Sequence, residues 1–418
     1  MIGNIMNKIK INRSIFLLVI LFLCNTGSIR SQIHLDSVYS GEQKFIHRLE
    51  IEGRPGYIIR ANDFLRGVNE QSRPIKYTRS THLKYSFQFH PDSRTGQIYR
   101  GAYQGIGFAY YSFGNYREIG DPKAVYLFQG ATLFNMGRKL SFDYEWNFGL
   151  SNGWHPYDYI ENSYNGMVGS KVNAYINMNL YFRQYLSRHL DLIWGITLTH
   201  FSNGNTKFPN AGLNTADAKV GISYNINRQQ NYLTNGLRDS NCTRDFPRHI
   251  NYDIVLFGSW RRKGVIFNNE LMASPEKYTV LGFNFNPMYN LGYRLRLGAS
   301  LDGVYDSSAN VYTEDYIVGG GYDPGYTFYK PALSKQLALG LSARAEYVMP
   351  YFDVGIGIGT NVIHRGGDLK GTYQVLALKI KVTPYSFIHI GYNLQGFDTP
   401  NYLMLGLGVR LNNRHPKY

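Results

Sequence analysis

Cysteine is almost absent from this 418-residue chain, with Cys24 and Cys242 the only two. Cys24 falls in an N-terminal apolar segment read below as removable, so the mature chain keeps one thiol and cannot hold an internal disulfide. Long apolar runs are equally scarce. A membrane helix needs about 20 consecutive apolar residues, only the N-terminus approaches that, and mean hydropathy is −0.31. A bundle of membrane helices is therefore excluded. Acids are also in short supply, 29 against 44 Lys and Arg, which leaves a formal charge of +15. What the chain has in abundance is Tyr (36), Phe (24) and Gly (44), a polar composition loaded with aromatics.

The N-terminus has the three-part layout of a secretory signal. Lys8, Lys10 and Arg13 come first with no acid, Ile15 to Leu23 form a short apolar block, and Asn, Thr, Gly and Ser follow. The block is too short to span a membrane comfortably. Cleavage is expected between Ser28 and Gln32, making residues 1–31 the signal peptide. A lipoprotein signal competes because Cys24 follows the apolar block, but Leu23 is bulky where a small residue is wanted. Removing residues 1–28 takes away these three cations and no acid and lowers the formal charge from +15 to +12.

Strands of roughly ten residues that alternate apolar and polar side chains mark a transmembrane barrel, because one face meets lipid and the other the lumen. In 140–150 the even positions Leu140, Phe142, Tyr144, Trp146, Phe148 and Leu150 are apolar, while Asp143, Glu145 and Asn147 take odd ones. The parity returns in 172–183, where Val172, Ala174, Ile176, Met178, Leu180 and Phe182 alternate with Asn173, Asn177, Asn179 and Arg183. A soluble sandwich also alternates, but rarely sets so many carboxylates and amides opposite a wholly apolar row.

The pattern predicts an all-β, antiparallel transmembrane barrel with strands near 45–62, 76–89, 103–113, 124–135, 140–151, 169–185, 190–202 and 215–226. Residues 227–247 read as a polar linker without alternation. Eight more strands are expected near 250–261, 277–288, 292–306, 335–349, 351–364, 372–383, 386–395 and 401–412. Two tandem eight-stranded barrels, or one of about sixteen strands, both satisfy the even-number rule and leave no edge in lipid. With a periplasmic N-terminus, odd strands run outward. The connection from His90 to Gly101 is too long for the short periplasmic turns that scheme prefers.

The seventh strand carries the chemistry. Leu190, Leu192, Trp194, Ile196 and Leu198 form a lipid-facing row that continues into His200 and Ser202. Residues two apart on a strand point the same way, with α-carbons roughly 6.5–7 Å apart. An imidazole can therefore bend over the serine hydroxyl. A polar group facing hydrocarbon without a partner costs several kcal/mol, so a purely structural role is hard to assign. On the following strand the even row Ala216, Ala218, Val220, Ile222, Tyr224 and Ile226 extends backward to Asn214, on the side of His200, while Asp217 falls on the lumen side.

The run His200-Phe201-Ser202-Asn203, followed by Pro209-Asn210-Ala211-Gly212, resembles the outer-membrane lipid A 3-O-deacylase family, PagL, over roughly residues 45–226. The resemblance implies an ester hydrolase that removes the acyl chain at the 3 position of lipid A, with His200 as base and Ser202 as nucleophile. It also implies oxyanion donors at the Asn203 side chain and the Asn205 backbone N–H. The family has a Glu as third triad member twelve residues after the serine, and this chain has Asn214 there. A carboxylate orients the imidazole and stabilises its charged form, whereas a neutral amide only orients it.

The expected organisation is thus a signal peptide (1–31), a deacylase-like barrel (32–226), a linker (227–247) and a second half (248–418) without catalytic residues. With Gly391 in register with Gly195, Gly396 stands opposite His200 and Asp398 opposite Ser202, so the second half lacks the pair. His364 and His389 are isolated. The sequence offers no metal-ligand spacing and no phosphate-binding glycine loop, and no cofactor is expected. The expected partner is lipid A or lipopolysaccharide in the outer membrane, whose phosphates suit a basic chain, and not nucleic acid. The competing class is a non-catalytic channel or transporter for hydrophobic compounds, for which lumen-facing Asp143, Glu145, Asn147 and Arg183 would also serve.

Overall fold

The computed structural model describes residues 45–90, 93–99, 101–228, 246–262, 264–267, 270–273, 276–313, 328–397 and 399–415. The signal segment, both cysteines, Asp398 and most of the 227–247 linker lie outside these residues. Strands β1 (Phe45–Ile59), β2 (Tyr77–Phe89), β3 (Tyr103–Ser112), β4 (Gly120–Asn135), β5 (Leu140–Trp154), β6 (Val172–Tyr185), β7 (Leu190–Ser202) and β8 (Leu213–Asn225) each pair with the next, and β8 closes on β1. A second barrel follows from β9 (His249–Arg261). After the hairpin β10 (Gly264–Phe267) and β11 (Glu270–Ala273) come β12 (Tyr278–Asn290) and β13 (Leu295–Asp306). A small pair, β14 (Tyr312–Thr313) and β15 (Phe328–Tyr329), precedes β16 (Leu337–Val348), β17 (Phe352–Ile363), β18 (Thr372–Lys381), β19 (Ser386–Gln395) and β20 (Thr399–Leu411). β20 closes on β9, so the chain forms two eight-stranded antiparallel barrels rather than one of about sixteen strands.

Alternation decides which side chains go in. Along β6, Asn173, Tyr175, Asn177, Asn179, Tyr181 and Arg183 are buried, while Ile176, Met178 and Leu180 are exposed on the outer wall. The wall is thus apolar outside and polar within, the reverse of a soluble protein and the signature of a barrel standing in lipid. Together with the closure of both eight-stranded sheets, this makes the chain a bacterial outer-membrane β-barrel protein.

The first barrel is filled. Lys84 Nζ lies 2.7 Å from Glu145, 2.9 Å from Glu52 and 3.1 Å from Glu50, with Lys219 3.1 Å from Glu52. Arg183 joins Glu50, Asp143 and Asp191 at 3.1–3.5 Å, and Arg54 meets Glu52 at 2.6 Å. Buried charges persist only when paired, and here Lys84 and Arg183 pair with acids of other strands while Arg54 pairs with Glu52 of its own strand. Toward the outer end Tyr111, Phe113, Trp154, Tyr175 and Phe201 form one buried cluster with Ile58, Phe64, Leu65, Met167 and Leu213. The second barrel repeats the plan with Asp253, Asp353, Arg410 and Arg296. Its small cavity, bordered by Asp302, Arg344, Tyr373 and Tyr402, is about 30 Å³, too small for an acyl chain.

The long 2–3 connection has a physical use. It folds as a helix (Arg94–Tyr99) whose Tyr99 is buried with Ala102 and Ala131, so its extra length packs against the barrel. The barrels touch along the outward row of β5. Trp146 stands perpendicular to Phe352 at 5.2 Å between ring centres, and Tyr351 stacks on Phe89 at 6.2 Å.

Candidate functional site

The register of the first barrel brings the site together. Ile59 of β1, Asn214 of β8, His200 of β7 and Ile176 of β6 are successive cross-strand partners, so they share one level of the outward wall. His200 and Asn214 join directly, Nδ1 to Oδ1 at 2.7 Å. An amide oxygen only accepts, so Nδ1 carries the proton and the neutral ring presents Nε2 as its acceptor. That is the tautomer a general base requires. Ser202 is one step further out on the same row, beside Ala174, and both His200 and Ser202 are half-buried. No hydrogen bond joins the Ser202 hydroxyl to the imidazole, whose Nε2 edge is the one the hydroxyl has to meet.

Gly212 stands against both side chains. At φ +71° it holds a conformation that costs side-chain-bearing residues, and a Cβ there would stand 3.2 Å from His200 Cε1 and 3.8 Å from Ser202 Cβ. Its N–H donates to the Met167 carbonyl at 3.3 Å, which ties the end of the loop down. Behind the pair, inward-facing Phe201 packs edge-on against Trp154 at 4.9 Å and Tyr111 at 5.1 Å. A rigid aromatic floor therefore supports a strand end that would otherwise fray.

The loop after Ser202 is pinned by its own amides. Asn203 N–H donates to Asn210 Oδ1 at 2.9 Å, and Asn210 Nδ2 donates to Asn205 Oδ1 at 3.1 Å. The Asn203 side chain is buried and donates one amide proton to the Lys207 carbonyl at 2.9 Å. Asn205 sits at φ +63°, turning the chain sharply three residues past the serine. Asp217, the nearest acid in sequence, faces the interior and accepts from Thr215 Oγ1 at 2.7 Å, so it does not substitute for the family's Glu.

Two features of this region lie beyond what sequence reasoning foresaw. The Arg262 N–H, just past β9, donates to the Asn205 carbonyl at 3.0 Å. Leu403 of β20 lies so near that a Cβ on Gly204 (φ +62°) would stand 2.7–2.9 Å from its side-chain carbons. The second barrel thus touches the loop that follows Ser202. The glycine at 204 hinted at a close approach, but nothing in the sequence said what approached. In the second barrel, Gly396 (φ +61°) ends β19, His364 Nδ1 accepts from the Gly366 N–H at 2.9 Å, and His389 is buried inside.

Residues 250–413 match the model of the acyloxyacyl hydrolase C-terminal domain, PagL_C. The match falls on the second barrel, whereas the letters that resemble the family fall at 200–212 of the first. No curated protein matches the chain. Similar solved structures include Neisserial surface protein A, at 8% identity over 44% of this chain and 99% of that one, with a TM-score of 0.27. The outer membrane enzyme PagL is 12% identical over 41% of this chain and 97% of that one, TM-score 0.26. The Acinetobacter baumannii outer membrane protein Omp33 is 9% identical over 88% and 99%, TM-score 0.16. The chain is therefore an outer-membrane barrel protein similar to the PagL, acyloxyacyl hydrolase-like family, by the His200 to Gly212 letters of its first barrel and by the family match across its second.

Proposed function

We propose that the protein is an ester hydrolase that removes an ester-linked acyl chain, the one at the 3 position, from lipid A in the outer leaflet. The observation that carries this reading is the His200–Asn214 hydrogen bond on the lipid-facing wall, which leaves Nε2 as the acceptor of the ring, two residues from Ser202 on the same row. A channel keeps its working groups in the bore. Here the bore of the first barrel is filled by ion pairs and aromatics, and the reactive residue types stand outside it.

In the reaction, His200 Nε2 takes the Ser202 proton as Oγ attacks the ester carbonyl. The carbonyl π electrons move onto oxygen and return as the C–O bond to the sugar breaks, and the imidazolium gives its proton to the leaving alkoxide. Water, deprotonated by His200, then cleaves the acyl-serine ester to free the fatty acid and restore Ser202. Oxyanion stabilisation falls to the second amide proton of Asn203 and the N–H of Asn205. Asn214 holds the imidazole without adding charge.

The reading is tested with purified protein in detergent micelles supplied with lipid A. Release of one equivalent of fatty acid by the wild-type chain and none by Ser202→Ala or His200→Ala supports it. Release that persists in Ser202→Ala, in a variant retaining heat-modifiable gel mobility, assigns the chemistry elsewhere.

A further inference from the structure

We propose that the second barrel supplies part of the substrate site, with Arg262 binding a phosphate of the same outer-leaflet glycolipid whose acyl ester Ser202 attacks. This rests on the deacylase reading above and adds to it a headgroup contact from a second, separately closed barrel.

Three observations converge on Arg262. Its backbone N–H donates to the Asn205 carbonyl at 3.0 Å, three residues from Ser202, so the arginine is rooted beside the serine loop. The approach is close one residue before as well, since a Cβ at position 204 would stand 2.7–2.9 Å from side-chain carbons of Leu403. Finally, Arg262 Nε is buried and has no hydrogen-bond partner. Its neighbour Arg261 also has an unpartnered Nε, but Arg261 Nη1 donates to the Asn401 carbonyl at 3.1 Å and stands 3.7 Å from Asp306. Among the described residues Arg262 has no such acid.

A buried donor left unpaired costs about 1–3 kcal/mol, and more when charged. A fold keeps such a group where something else satisfies it. The guanidinium is built to clasp an oxyanion, and phosphate oxygens match its fork of donors better than an ester or hydroxyl does. At the outer ends of β7 and β9, the phosphorylated headgroup of an outer-leaflet glycolipid lies at the right depth. One lipid would then present its acyl ester to the first barrel and its phosphate to the second.

Binding separates this claim from catalysis. Full-length Ser202→Ala and the double variant Ser202→Ala/Arg262→Gln are titrated with nanodiscs carrying bisphosphorylated lipid A, and with nanodiscs carrying the same lipid A after phosphatase treatment. Arg262→Gln keeps the backbone N–H, so the contact with Asn205 survives. Loss of one charge-assisted phosphate contact weakens binding of the phosphorylated lipid roughly tenfold and leaves the dephosphorylated lipid unchanged. Equal weakening for both lipids, or no change for either, overturns the proposal. Fatty-acid release by the wild-type chain, measured separately, bears on the deacylase reading alone, so the two failures are distinguishable.

Discussion

Asn214 is where this chain departs from the family it resembles, and the consequence can be sized. In a serine triad whose aspartate becomes asparagine the rate falls about 10⁴-fold, in part because the wrong tautomer is held. Here the Asn214 oxygen faces Nδ1 and holds the right one, so only the charge is missing. Hydrogen bonds to ionised acceptors contribute about 1–2 kcal/mol more than neutral ones, so Asn214→Glu is expected to raise kcat roughly tenfold and Asn214→Ala to lower it. Rates of fatty-acid release from lipid A micelles test both, and an unchanged rate in Asn214→Glu would mean another group stabilises the imidazolium. Gly212→Ala is expected to cut activity at least tenfold while the barrel stays folded, because it strains a positive φ and presses on His200. Full activity in that variant would remove Gly212 from the site. His200, Ser202 and Asn214 could be picked out beforehand because strand parity alone sets them on one face. Gly212 stood among the letters of the resemblance, but its place against His200 depends on a loop path that no periodicity encodes.

At the scale of the strand, alternation was enough to find all sixteen barrel strands, most to within three residues. Departures occur at ends: β4 begins at Gly120 instead of 124 and β6 at Val172 instead of 169. Both lie next to outer loops, where tertiary contacts and not the two-residue period decide where pairing stops. The short helices at 63–66 and 94–99 were missed for the same reason, being stabilised by burial of Phe64, Leu65 and Tyr99 and not by helical periodicity. Interior filling gives a sharper expectation than parity alone. A spin label at Met178→Cys, on a Cys242→Ser background, should be relaxed by oxygen dissolved in lipid, whereas one at Asn179→Cys should be shielded from both oxygen and an aqueous nickel chelate. Strong nickel relaxation at 179 would indicate a wet bore. The ion-pair network should also bear on stability. Lys84→Met leaves Glu50, Glu52 and Glu145 short of a cation, and breaking a buried network of this kind costs about 3–5 kcal/mol. The urea midpoint of refolding into lipid vesicles should fall accordingly, and an unaltered midpoint would show that Lys219 and Arg183 suffice.

For the whole molecule, one barrel or two was undecidable from the sequence because both arrangements bury every edge and both keep the parity. Closure is a long-range choice, made where Arg48 pairs with Asn225 and where Tyr252 pairs with Leu411. The contact of the second barrel with the serine loop was equally hidden. Read as sequence, the second half lacks a His–Ser pair, yet it carries the family match and touches that loop through Arg262 and Leu403. The first proposal puts the chemistry at Ser202, and the second adds that both barrels hold one lipid. The most direct test is the mass of lipid A extracted from a Gram-negative host carrying wild-type protein, Ser202→Ala or empty vector, with heat-modifiable mobility establishing that both proteins are folded. The expected result is the loss of one ester-linked acyl chain with wild-type protein alone; identical spectra from all three, or a loss that persists in Ser202→Ala, would contradict it.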